Sequence, residues 1–148
     1  MQITNKIISL IAAMLFSVIL IISSVIPVSA VQNGIYIAVA NPHYAHPVTG
    51  VIEDSGGESS KVLGQSMTDS ALYKEALIEG DENGNIYVTI RLKLMDNIQN
   101  PSFEVQQDGY SPFKSVSHTV MKEDWDNNTS DFRFQIPSEN AIVRSSFY

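Results

Sequence analysis

Between Asn85 and Leu94 the chain alternates. Ile86, Val88, Ile90, Leu92 and Leu94 share one parity, and Tyr87, Thr89, Arg91 and Lys93 the other. Side chains of a strand point to opposite faces in turn, so this stretch predicts a half-buried antiparallel strand with one apolar and one solvated face. Just upstream, ALYKEALIE runs into GDENGN, where an Asn-Gly pair separates two apolar runs. Both residues tolerate positive φ, and the pair predicts a hairpin over residues 71 to 94. The start of its first arm also fits a helical turn through Ala71, Leu72, Glu75, Ala76 and Leu77.

The same period predicts strands at GIYIAVA (34 to 40), SFEVQ (102 to 106), FKSVSHTVM (113 to 121), DFRFQI (131 to 136) and AIVRSSFY (141 to 148), separated by QQDGYSP, KEDWDNNTS and PSEN. The first of these ends at Asn41-Pro42, because proline restricts its predecessor and cannot donate to a ladder. Short strands at this spacing read as an all-β sandwich or barrel.

The first thirty residues stand apart. Their only charge is Lys6, an apolar run extends from Ile7 to Ile26, and Val28-Ser29-Ala30 supplies the small residues of a signal-peptidase site. Residues 1–30 are therefore expected to be a signal peptide cleaved after Ala30, with an uncleaved N-terminal anchor as the alternative. Residues 31–148 have the size of one domain with one core. They hold 8 of the 9 Lys and Arg and all 16 Asp and Glu, a net charge of −8 with histidine neutral. This balance argues against nucleic acid and anionic lipid as partners, since both demand a basic face. The chain has no cysteine. That excludes disulfides, thiolate metal sites and covalent C-x-x-C-H haem attachment, and leaves packing to hold the fold.

Candidate chemistry is sparse. His43 and His46 in NPHYAHP are spaced as H-x-x-H, but the flanking prolines prevent a helix from bringing both rings to one face, and they read as turn residues. Asp124, Asp126 and Asn128 are spaced like a calcium loop, yet Thr129 stands where glycine is needed and Gln135 where the bidentate glutamate belongs. No nucleophile elbow, zinc-protease helix, phosphate loop or dinucleotide fingerprint is present, so the sequence does not point to an enzyme. Composition and spacing lead to an exported, acidic β-sandwich that binds a partner. One such reading is an interaction or adhesion module without haem, using surface aromatics such as Tyr44, Tyr110 and Trp125.

The stretch GIYIAVANPHYAHPVTGVIEDSGGESSKVLGQSMTDSALYKEALIE resembles the streptococcal cell-surface haem-binding protein family Shp, above all through HPVTG, IEDSGGE and GQSM. The likeness continues through GNIYVTIRLKL and NAIVRSSF, and so spans Gly34 to Tyr148. The resemblance implies an immunoglobulin-like, NEAT-like antiparallel β-sandwich on the surface of a Gram-positive bacterium, or secreted from it. It further implies non-covalent haem, accepted from a haem-donor surface protein and passed to the lipoprotein of a haem importer. By position, Met67 matches the family's first axial methionine, on a short helical loop over the porphyrin. Ser66 and Leu63 beside it become haem contacts, with Val62 covering the ring, Gly64 allowing close backbone approach and Lys61 or Lys74 reaching a propionate. A thioether is a soft neutral ligand that holds iron less tenaciously than imidazole or thiolate, which suits a protein that passes haem onward. In the family a further pair of strands follows the R-x-S-x-F segment and brings a second axial methionine. This sequence stops at Tyr148 and is expected to be a C-terminally shortened copy whose last strands are missing, with Met95 and Met121 as core or edge residues.

Overall fold

The computed structural model describes residues 33–147. The expected signal peptide and its cleavage position after Ala30 lie outside the described residues. Among the described residues, eight strands form two antiparallel sheets: β1 (Gly34–Val39), β2 (Glu75–Gly80), β3 (Ile86–Lys93), β4 (Ser102–Gln106), β5 (Lys114–Val116), β6 (His118–Asp124), β7 (Thr129–Ile136) and β8 (Ile142–Ser146). The larger sheet has the order β1-β2-β3-β7-β6, the smaller β5-β4-β8. Helix α1 (Lys61–Ala71) follows a 3-10 turn at Gly57–Ser60 and leads into β2.

The alternation in β3 is realised as far as Leu92, whereas Leu94 lies past the end of the strand with positive φ and is exposed. Val88, Ile90 and Leu92 are buried and pair across to Phe134, Phe132 and Ser130 of β7. Ala76 and Ile78 of β2 extend the same inward face. From the smaller sheet Phe103 and Val105 close over it, the Phe103 ring stacking on Phe134 with centroids 4.7 Å apart and meeting Phe132 at 5.5 Å. The sheets therefore share one apolar core, and the fold is the antiparallel, immunoglobulin-like β-sandwich expected. The outward face of the larger sheet is polar where its strands are flanked on both sides. Arg91 makes two bonds to Asp131 at 2.6 and 2.8 Å, and Arg133 reaches Glu79 at 2.6 Å while lying over the Tyr87 ring.

Three expectations need correction. The β2–β3 hairpin begins at Glu75, because Ala71 closes α1 and Leu72 bridges to Leu92. Its loop is tied by Asp81, which accepts from the Asn83 and Asn85 backbone and from Asn85 Nδ2, and only Gly84 of the Asn-Gly pair takes positive φ. FKSVSHTVM is two strands: β5 pairs with β4, and after Ser117 the chain crosses to pair as β6 with β7. A strand that switches sheets makes a corner of the sandwich, and its alternation continues straight through. Finally, the expected short helical loop is an 11-residue helix.

Candidate functional site

Helix α1 reads KVLGQSMTDSA, a poor helix former in isolation, with glycine near its middle and four hydroxyl or short polar residues in its second half. Tertiary contacts hold it. Gly64 is its buried residue and rests on Tyr44: a Cβ built there would lie 2.5 Å from Tyr44 Cδ2 and Cζ and closer still to Cε2. Gln65 accepts from the Tyr44 backbone N–H at 2.9 Å and donates to the Pro42 carbonyl at 3.0 Å. The Tyr44 hydroxyl donates to Asp54, which also accepts from the Gly56 N–H, so the loop on either side of Tyr44 is tied to the helix start. This bond holds the Tyr44 phenol above its ordinary pKa and the Asp54 carboxyl below its own. Thr68 and Ser70 satisfy their hydroxyls on carbonyls four residues back, Gly64 and Ser66.

The consequence is a helix with its apolar side outward. Val62, Leu63 and Met67 are 87, 66 and 63% exposed, and Ser66 is exposed between them. Positions 62, 63, 66 and 67 fall on one face of a 3.6-residue helix. Within GQSM, then, Gly64 and Gln65 anchor the helix while Ser66 and Met67 face water. Burying a side chain of this kind is worth about 1.5–3 kcal/mol, so leaving three in water forgoes several kcal/mol of stability. A contiguous apolar helix face presented at that expense is a candidate binding surface.

Other sequence-singled residues are placed elsewhere. Gly64 faces Tyr44 and not the outward side, because its missing side chain is what seats the helix. Tyr44 itself is half-buried, which removes it from the surface aromatics, whereas Tyr110 and Trp125 are exposed. Lys61 is paired with Glu58 at 2.9 Å. Met95 packs against the core, and Met121 is exposed on the edge strand β6. His46 is structural: its Nδ1 accepts from the Val48 and Thr49 N–H groups, so Nε2 carries the proton and donates to Gln106 Oε1 at 2.9 Å. Gln106, buried, in turn donates to the Ser111 carbonyl at 2.6 Å. His46 and Gln106 line an open cleft of about 490 Å³ with Glu53, Tyr110, Phe113 and Arg144. Its charges are spent on one another, Arg144 bonding Glu53 and Glu104 while stacking on Phe113. Asp124 is likewise occupied, by Lys122 and by Asn127.

A sequence model of the family described as "Cell surface heme-binding protein Shp" matches residues 32–148. The chain belongs to the Shp family. No curated protein matches the sequence. Among solved structures, one that matches is a mutant IsdX2-NEAT5 domain in complex with heme, 17% identical over 80% of this chain and 91% of that one, with a TM-score of 0.44. The family is one of haem-binding proteins at the cell surface, and GQSM, one of the segments that carry the resemblance, lies on the helix that turns an apolar, sulfur-bearing face to solvent.

Proposed function

We propose that this chain binds haem at the outward face of α1, with the Met67 thioether as an axial ligand to iron and Leu63 and Ser66 in contact with the porphyrin. The single observation that carries this reading is the exposure of Leu63 and Met67 on a helix pinned from behind through Gly64 and Gln65. The donor set fits the group. Val62 and Leu63 offer apolar cover to a flat macrocycle, Ser66 offers a hydroxyl at its margin, and Met67 offers a soft neutral sulfur. Iron porphyrin supplies Lewis acidity toward that sulfur when bound. The chain's own part is to hold the thioether in a fixed direction and to cover one porphyrin face.

The protein acts outside the cell, taking haem from a surface donor and giving it to the lipoprotein of a haem importer. An exposed face and a thioether ligand both support transfer, since the first leaves haem accessible and the second releases it more readily than thiolate or imidazole. The Val31–Tyr148 unit serves for the test. Haem titration followed by Soret absorbance is expected to show binding that Met67→Ala weakens by at least about tenfold, or 1.4 kcal/mol. Equal affinity and an unchanged spectrum in that variant would remove Met67 from the iron.

A second reading, an interaction module without haem, draws support from β1. Ile35, Ile37 and Val39 are exposed on one face of this edge strand, opposite Glu79, Leu77 and Glu75 of β2. Protein that stays colourless at every haem concentration would favour it.

A further inference from the structure

The loop that seats helix α1 also reaches the smaller sheet. Its two ends meet where the Tyr44 hydroxyl donates to Asp54, and the Tyr44 ring is the surface on which Gly64 rests. Between those ends His46 donates to Gln106 of β4, and Glu53, next in the chain to Asp54, accepts from Arg144 of β8. Arg144 is aimed at this contact by its neighbours. Glu104, opposite it in the β4–β8 register, accepts from Nη1 at 3.0 Å, and the Phe113 ring centroid lies 3.8 Å from the guanidinium carbon. That leaves Nη2 for Glu53. Among the described residues that line the cleft here, Arg144 is the one lysine or arginine, and so the one permanent cation that the cleft offers Glu53.

We infer, resting on the haem reading above, that Arg144 is a positioning residue for the haem face of α1: its ion pair with Glu53 holds the seat of the helix down on the smaller sheet, and the firmness of that hold sets how fast haem leaves. Arg144 acts without touching haem. It fixes Glu53, the chain carries Asp54 along, Asp54 holds the Tyr44 hydroxyl, and the Tyr44 ring supports Gly64. A rigid support matters because a ligand atom misdirected by its supporting contacts binds less well than one held in place. The hold is a modest one. The side chains of Glu53 and Arg144 are 50% and 32% exposed, so water and salt weaken their pair, and its loss loosens the helix without unfolding the sandwich.

The test measures amide hydrogen exchange in Lys61–Ala71 and haem loss to excess apomyoglobin, for the Val31–Tyr148 unit and its Glu53→Ala, Arg144→Ala and doubly substituted variants. Circular dichroism verifies each fold. Each single substitution is expected to raise both the exchange in α1 and the rate of haem loss by about fivefold, equivalent to about 1 kcal/mol. The double variant is expected to match Arg144→Ala, because the contact between the two side chains is already gone. Arg144→Lys, which keeps a cation beside Glu53, is expected to recover part of the loss. Unchanged exchange in α1 in both single variants would overturn the link from β8 to the helix. Effects that add in the double variant would overturn action through Glu53. Faster exchange with haem loss unchanged would overturn the role in retention while leaving haem binding at α1 intact. No spectral change when haem is added to the parent unit would overturn the haem reading, and the role in retention with it.

Discussion

Replacing Gly64 with alanine sets two effects of opposite sign against each other. In an unconstrained helix the change stabilises by about 0.8–1.0 kcal/mol, because glycine is the poorer helix former. Here the new Cβ falls 2.5 Å from two carbons of the Tyr44 ring, about 1 Å or more inside the usual carbon contact of about 3.5–4.0 Å. The ring cannot step aside cheaply, since its hydroxyl is held by Asp54 and its backbone by Gln65. Overpacking of this kind costs about 1–3 kcal/mol, and with a stiff, doubly tethered neighbour the upper part of that range applies. The net expectation is a loss of about 1–2 kcal/mol, read as a urea midpoint lowered by about 1 M at typical slopes. Trp125 is 79% exposed and a poor reporter, so far-UV circular dichroism is the probe. In a Tyr44→Ala background the clash is gone, and the same substitution should become stabilising by up to about 1 kcal/mol. A Gly64→Ala variant as stable as the parent, or more so, with Tyr44 in place would refute the seating of α1 on that ring.

Truncating Phe103, which is 1% exposed and stacks on Phe134, should cost about 3–5 kcal/mol in urea unfolding, a large share of a domain's stability. Arg144→Ala removes two partly exposed ion pairs and the stacking on Phe113, and should cost about 1 kcal/mol in thermal unfolding, less at high salt. Asp108 accepts from the Ser111 and Tyr110 N–H groups, which lower its pKa to about 2. A carboxyl lowered in the folded state stabilises fully above its unfolded value of about 3.9, and that contribution fades as pH falls toward about 2. The melting temperature of Asp108→Asn should therefore fall less steeply than the parent's between those two pH values.

Much of the sandwich was legible because its core strands obey the two-residue period. Ile86 to Leu92 gave β3, and the glycine and asparagine before it gave the hairpin loop. The crossing at Ser117 was not legible, since alternation records which side a residue takes and not which sheet it joins. Helix α1 was hidden for a sharper reason. Periodicity searches look for apolar residues turned inward, and here the inward positions are Gly64, Gln65 and Thr68 while Val62, Leu63 and Met67 point out. Low intrinsic propensity deepened the concealment. Met67, Ser66 and Leu63 entered through resemblance to the Shp family rather than through pattern, and the same inversion that concealed the helix places them on one exposed face. Gly64, read as room for a cofactor, is instead room for Tyr44. The Gln106 side chain that accepts from His46 Nε2 lies 60 residues away in sequence, beyond the reach of local spacing.

The most direct measurement is X-ray absorption at the iron edge on haem-loaded protein labelled with selenomethionine. Ligation by Met67 predicts selenium in the first coordination shell of iron, absent in the Met67→Leu variant. A first shell of nitrogen and oxygen alone in the labelled parent protein would contradict the assignment of Met67 to iron.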